Sequence, residues 1–381
     1  RRKLNGKRPA EAGRFFELMT LIVDSHQDLA WNMLAFKRDY TRPVAETRRL
    51  EASTLIPERM GDCTLGWHEY QRGSVAIVFS TLFASPARKK EMWDSQWYPD
   101  FDTARKLYRD QASAYRKLAD SRPDKFRLIA STGELDSHLQ HWAQPAREEE
   151  GHPVGLVMLM EGAEGIRSIK ELPEWWELGL RMIGLAWAGT RYCGGTGDPG
   201  GLTVEGRELI SAMADFNFSL DISHMDEAAA LESLDRYEGP IMASHANCAA
   251  LMRGSESNRH VPDRVIELLI ERGGVQGLIP FNTFLKTGWS RKTGNREEVP
   301  LDTYVSHIDH VCQLAGNSFH AAIGSDFDGG FGLQSIPAGM DTIADLQMVR
   351  GKLLERGYTE ADAENILGGN WLRFLREHLP Q

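Results

Sequence analysis

The chain has 381 residues, 54 acidic against 44 basic side chains for a formal net charge of −10, and 41% hydrophobic residues. That balance suits a globular protein with a large core and excludes a general nucleic-acid binder, which needs a basic face to neutralise phosphates. Four cysteines (Cys63, Cys193, Cys248, Cys312) with no CxxC pair exclude a disulfide framework and a thiolate zinc knuckle, and no apolar segment reaches bilayer length.

These features lead to the expectation of a cytoplasmic protein with reduced thiols and no membrane contact. The opening stretch RRKLNGKRPAEAGRFFEL is basic without an apolar h-region, so it does not read as a signal peptide. With Met19 as a candidate start, residues 1–20 are expected to be an N-terminal extension and 21–381 a single domain. The closing REHLPQ has no hydrophobic tail of the lipid-anchor kind.

Eight short apolar runs follow in order: 21–26, 74–84, 154–162, 182–189, 218–224, 240–246, 273–281 and 320–330. None alternates cleanly between apolar and polar, the signature of strands buried on both faces of a parallel sheet. Amphipathic helical patterns stand between them, such as 101–120, 203–216, 261–273 and 301–316, with Thr203 and Pro262 as initiation signals. The gaps at 35–73 and 85–153 exceed simple connections and are expected to carry extra helices or active-site loops. A Trp-rich segment, EMWDSQWYP at 91–99, lies in the second gap and reads as a lid, an interface or a packed insertion. No GxGxxG follows the first strand, so the expected fold is a (β/α)₈ TIM barrel with extra helices and loop insertions, rather than a doubly wound sheet.

In such a barrel the active-site groups stand at the carboxyl ends of the strands. Reading those ends gives His26 and Asp28 on the first, Glu161 on the third, His224 on the fifth, His245 on the sixth and Asp326 on the eighth. One strand-end histidine is ordinarily a hydrogen-bonded core residue. Six ionisable groups converging without an ion would carry a heavy desolvation cost, which a cation removes. The donors are nitrogen and oxygen with no thiolate, which suits Zn²⁺. They also outnumber what one tetrahedral zinc takes. Two ions are therefore expected, His26 and Asp28 on one, His224 and His245 on the other, and Glu161 between them. No lysine ends these strands, which argues against a carbamylated-lysine bridge. His307 and His310 share a helix face and read as structural, while His138, His141 and His152 lie in polar stretches read as loops or solvated helix faces.

The ordered motifs VDSHQDL, MEGAEGI, LDISHMD, ASHANCAAL, NRHVPDRVI, IGSDFDGG and ILGGNWLRFLR span about Leu21 to Arg376. Together they resemble the membrane (renal) dipeptidase family of the amidohydrolase superfamily. The resemblance implies two Zn²⁺ per chain on the residues just named, Asp326 as the catalytic aspartate, and Arg259 gripping a terminal carboxylate. It implies hydrolysis of small dipeptides with a free C-terminal carboxylate, L,D-dipeptides included, by a metal-bridging hydroxide with Asp326 as general base and acid. One position departs from the family: where the fourth strand would end in a substrate-contacting histidine, this chain has Trp187, whose indole can only donate. The contact to the oxyanion then falls to Trp187, to Asn282 or Arg191, or to metal alone. Two other readings remain open: hydrolysis of another amide or lactam such as an N-acyl amino acid, and a non-catalytic metal-binding barrel. A homodimer is compatible with all of them.

Overall fold

A computed structural model describes residues 20–91, 93–145 and 151–381. The N-terminal extension, apart from Thr20, and Met92 of the Trp-rich segment lie outside the described residues. Eight strands form the frame: β1 Ile22–Gln27, β2 Val75–Phe83, β3 Val154–Glu161, β4 Leu180–Gly184, β5 Ser219–Asp221, β6 Ile241–Met242, β7 Gln276–Leu278 and β8 Ala321–Ile323. Each overlaps one of the eight apolar runs, several of the strands being only two or three residues long. All pair in parallel, in the order β6-β5-β4-β3-β2-β1-β8-β7. A bridge between Ala243 and Gln276 joins the last pair and closes the ring. Parallel strands so far apart in sequence need long crossovers, and the helices Val204–Asp215, Glu227–Arg236, Asp263–Glu271 and Leu301–Ala315 supply four of them. Thr203 caps its helix, its hydroxyl accepting from the Gly206 N–H at 3.1 Å.

The strands divide the apolar residues into two layers. Val23, Phe79, Val157, Leu159 and Met182 fill the barrel, while Ile22, Val78, Leu156, Met158 and Met160 face the surrounding helices. The C-terminal helix Asn370–His378 seals the barrel with Trp371, Phe374 and Leu375, and the Trp371 indole donates to the Ile323 carbonyl at 2.9 Å. Inside, Gly277 and Gly324 make room for backbone: a Cβ on either would lie 2.0–2.1 Å from the Ser244 carbonyl oxygen. Only glycine permits that approach.

The long gap after β2 carries the helix Phe101–Ser121, capped by Asp100, whose carboxylate accepts from the Thr103 N–H at 2.8 Å. Its buried face anchors the tops of β2 and β3. Tyr115 donates to the Thr81 carbonyl at 2.8 Å, Tyr108 to the Glu161 carbonyl at 3.0 Å, and Gln111 pairs with both backbone groups of Phe83. A second helix, Thr132–Trp142, overturns one expectation. His138 is not solvated but 2% exposed, because Leu135, His138 and Trp142 form one stripe against the barrel. Its Nε2–H donates to the Ala76 carbonyl at 2.9 Å, and burial pulls its pKa down to about 4.

His138 thus stays neutral in the folded chain while the unfolded chain takes up a proton below about pH 6.5. Its contribution is complete above that pH and is lost as pH falls toward about 4, at up to roughly 1.4 kcal/mol per pH unit. Denaturant titrations at about pH 7.5 and 5.5 are expected to give a smaller loss for His138→Gln than for the parent; equal losses would refute the assignment.

The gap after β1 buries a charge network beside the carboxyl ends of the strands. Arg38 pairs with Glu51 at 2.8 Å and with Asp328 at 3.1 Å, and the Thr64 N–H and hydroxyl both donate to Asp328 at 2.8 Å. Asn32 donates to the carbonyls of Asp28 and Asp328, both at 3.0 Å, so the network ties the loops after β1 and β8 together. Arg38→Met would leave two buried carboxylates without their cation, at a cost of about 3–5 kcal/mol. Guanidinium unfolding is expected to show it, and a loss under about 1 kcal/mol would mean that water replaces the arginine.

Candidate metal centre and active site

Alternation along β3 puts Val157, Leu159 and therefore Glu161 on the inner face, so the run VGLVMLME ends with a carboxylate at the barrel mouth. β1 is less regular. Val23 faces inward, and strict alternation would turn His26 outward with Ile22. The register with β2 slips, however: Asp24 lies opposite Val78 and Gln27 opposite Ser80, one extra residue on β1. That bulge re-aims His26 into the mouth.

The remaining groups follow one rule. Trp187, His224, His245 and Asp326 each stand three residues past the last residue of β4, β5, β6 and β8 (Gly184, Asp221, Met242 and Ile323). His224 and Asp326 adopt left-handed backbone, φ 64° and 55°. Such conformations are costly for residues other than glycine and are held where the surroundings determine them. At Asp326 the holding contacts are visible: its N–H donates to the His26 carbonyl at 3.2 Å, and Asp24 accepts from the neighbouring Ser325 N–H at 2.6 Å.

These backbones bring the predicted ligands together. Glu161 lies between the histidines: Oε2 is 3.7 Å from His26 Nε2, while Oε1 is 3.0 Å from His224 Nε2 and 3.3 Å from His245 Nε2. His26 Nε2 is also 3.9 Å from carboxylate oxygens of both Asp28 and Asp326. The imidazoles are oriented from behind. Ser244 gives its hydroxyl proton to Asp221, so its oxygen accepts from His245 Nδ1–H at 2.8 Å. That leaves the lone pair of His245 Nε2 facing the cluster. Thr196 holds His224 Nδ1 at 2.9 Å. Residues outside the predicted set therefore complete the site, namely Asp221, Ser244, Thr196 and Asp24. Asp221 was detectable as an acid inside the apolar run FSLDISH.

The chemistry of this cluster fits cations. His26 Nε2 and Asp28 Oδ1 are buried without a hydrogen-bond partner, and the Nε2 atoms of His224 and His245 stand 2.9 Å apart. Burial pushes the Asp28 carboxyl up to about 7 and raises Glu161 and Asp326, while it drives His26 down to about 3 and lowers His224 and His245. Neutral imidazoles with bare lone pairs beside buried carboxyls form a donor set that suits a cation, whose charge would offset the cost of ionising the carboxyls there. Two triads, His26–Glu161–His245 and His26–Asp28–Asp326, have donor atoms close enough to share an ion.

A cavity of about 1,020 Å³ opens above the cluster. Arg259 enters it 2% exposed, Nη2 donating to the His245 carbonyl at 2.7 Å while Nε and Nη1 have no partner. Burial lowers its pKa to about 10, so the guanidinium remains charged at neutral pH. Trp187 lines the cavity as well. Asn282 does not: it is fully buried with Nδ2 donating to the Ile336 carbonyl, and its neighbours Phe281 and Phe284 form the wall instead. Arg191 is likewise absent from the wall, its guanidinium bound to the Ile166 carbonyl and the Tyr192 hydroxyl. From the Trp-rich segment, Trp93 and Asp94 line the cavity, while Trp97–Tyr98 pairs with Ser85–Pro86. His307, read as structural, is buried and accepts from the Cys248 N–H at 3.1 Å. All four cysteines are buried and free. Among the described residues no helix is long and apolar enough to cross a membrane.

A parallel barrel with imidazoles and carboxylates converging at the carboxyl ends of its strands defines the class of metal-dependent hydrolase barrels. The sequence model of the membrane dipeptidase family (Peptidase family M19) matches residues 13–379. The chain belongs to this family and is a metal-dependent peptide-bond hydrolase. It is 28% identical over 276 residues to an uncharacterized protein of the pqqA 5′ region of Klebsiella pneumoniae, covering 70% of this chain and 94% of that one. Among solved structures it is similar to dipeptidase AC, a metallopeptidase of family M19, at 23% identity and TM-score 0.74, covering 95% of this chain and 100% of the other. A metallopeptidase from Rhodobacter sphaeroides, liganded with a phosphinate mimic of the dipeptide L-Ala-D-Ala, matches at 24% identity and TM-score 0.72, covering 95% and 99%.

Proposed function

We propose that the chain is a binuclear zinc dipeptidase cleaving dipeptides with a free C-terminal carboxylate, L,D-dipeptides among them. The observation that carries this reading is the position of Glu161, one oxygen toward His26 and the other toward His224 and His245. A carboxylate so placed can serve two ions at once, His26 and Asp28 completing one set and His224 and His245 the other. When bound, the metals supply a water activated at neutral pH and polarise the scissile carbonyl. The residues do the rest. Arg259, with two guanidinium positions free, grips the substrate's carboxylate and fixes the peptide bond over the cluster. Asp326 takes the proton of the attacking water and returns it to the leaving amine. A carboxyl whose pKa burial has raised suits the second step. The Trp187 indole can only donate, so any contact it makes to the carbonyl is a neutral hydrogen bond. The dipeptide mimic bound by the Rhodobacter sphaeroides relative supports the substrate class.

The test is turnover of zinc-loaded protein on L,L- and L,D-dipeptides, their C-terminal amides and N-acyl amino acids, with metal content measured alongside. Dipeptides are expected to be cleaved and their amides to be poor substrates. Faster cleavage of N-acyl amino acids would favour the wider amidohydrolase reading. A metal-loaded protein that turns over none of them would end the dipeptidase assignment.

A further inference from the structure

The two halves of the barrel mouth differ in chemistry. The half built from β6 to β8 carries Arg259 with Phe281 and Phe284, and there the substrate's carboxylate is held on the reading above. The opposite half, built from β1 to β4, presents a continuous aromatic wall. Trp93 packs edge-on against Trp31 with ring centres 6.3 Å apart, Trp31 against Phe83 at 6.1 Å, and Phe83 against Trp187 at 5.1 Å. Trp187 ends the row 6.4 Å from the His224 ring, beside the cluster of imidazoles and carboxylates. All four line the cavity.

This wall is built and fixed. Trp31 is 4% exposed and donates its indole N–H to Asp94 Oδ1 at 3.2 Å. Phe83 is clamped through its backbone by Gln111. Trp93 and Trp187 are half-buried, so they keep ring surface open to the cavity. The cavity is also larger than two small side chains require, since about 300–1,000 Å³ takes a drug-sized ligand.

We infer that this aromatic half is the subsite for the substrate's N-terminal residue and that it selects a large apolar side chain, aromatic above all. The inference rests on the dipeptidase reading. With the carboxylate on Arg259 and the peptide bond over Glu161, the residue on the amino side of that bond must extend toward β1–β4. A ring arriving there meets edges and faces of Trp187, Phe83 and Trp93 in geometries that aromatic pairs favour. Alanine would leave that wall in water. Filling or vacating a hydrophobic subsite changes kcat/KM by roughly tenfold or more.

The experiment compares Xaa-Ala and Ala-Xaa dipeptides, with Xaa alanine, leucine, phenylalanine or tryptophan, on zinc-loaded enzyme. Phe-Ala and Trp-Ala are expected to exceed Ala-Ala at least tenfold in kcat/KM, chiefly through KM, with no such gain for Ala-Phe. Trp187→Ala should collapse that ratio to within a few fold at unchanged metal content. Trp93→Ala, at the outer end of the row, is the second variant should the first fail to fold. Equal rates across the Xaa-Ala series, or a gain confined to Ala-Xaa, would overturn the inference and leave the dipeptidase reading standing. If no dipeptide is cleaved, the dipeptidase reading falls. Calorimetric binding of phosphinate mimics of Phe-Ala and Ala-Ala then decides the subsite, tenfold tighter binding of the first sustaining it and equal binding overturning it.

Discussion

Glu161→Gln is expected to bring the metal content well below that of the parent and to reduce turnover on the order of a thousandfold or more, with the barrel still folded. The size of the effect follows from the position of the two carboxylate oxygens. One oxygen points to His26 and the other to His224 and His245, so this one side chain presents an anionic donor to each group. Glutamine keeps the volume but replaces one anionic oxygen with an amide NH₂, which donates and cannot ligate. On the two-ion reading, at least one of the two donor sets then loses its shared oxygen. Elemental analysis and circular dichroism on the purified variant check the two parts of this prediction. Full metal content with lost turnover would place Glu161 in proton transfer instead.

Asp326→Asn is expected to separate chemistry from metal binding. If Asp326 moves the proton, the variant should keep its metals and its KM while kcat falls by about 10²–10⁴-fold. The geometry makes this a sharp test, because Asp326 Oδ1 is 3.9 Å from His26 Nε2 and belongs to a triad capable of holding an ion. Loss of metal together with kcat would make Asp326 a ligand, and the proton would then need another carrier. Asparagine retains the hydrogen-bonding shape of aspartate, so the left-handed backbone at this position should survive.

The residues that could be read from the sequence share one property. His26, Glu161, His224, His245 and Asp326 each interrupt or end an apolar run, where an ionisable group is conspicuous because its burial is costly. The eight runs could be read for the same reason: strands covered on both faces by helices and core must be apolar throughout. His138 was misread because its stripe on the helix Thr132–Trp142 mixes one histidine with apolar neighbours, and a polar local composition hid the buried face. Asn282 was misplaced because proximity to a strand end does not specify which way a side chain points. It turned to the Ile336 carbonyl, and Phe281 and Phe284 took the wall.

By itself the sequence determined the barrel and the set of groups at the carboxyl ends of its strands, since both are written in local patterns of burial and charge. Only the tertiary structure decided how those groups are aimed. The bulge that turns His26 inward exists only in the pairing of β1 with β2. The Asp221–Ser244–His245 relay joins β5 to the loop after β6. The aromatic wall assembles Trp31, Phe83, Trp93 and Trp187 from three separate strand ends. Contacts between residues tens to hundreds of positions apart leave no periodic trace in the chain, because packing and register, not local propensity, bring them together.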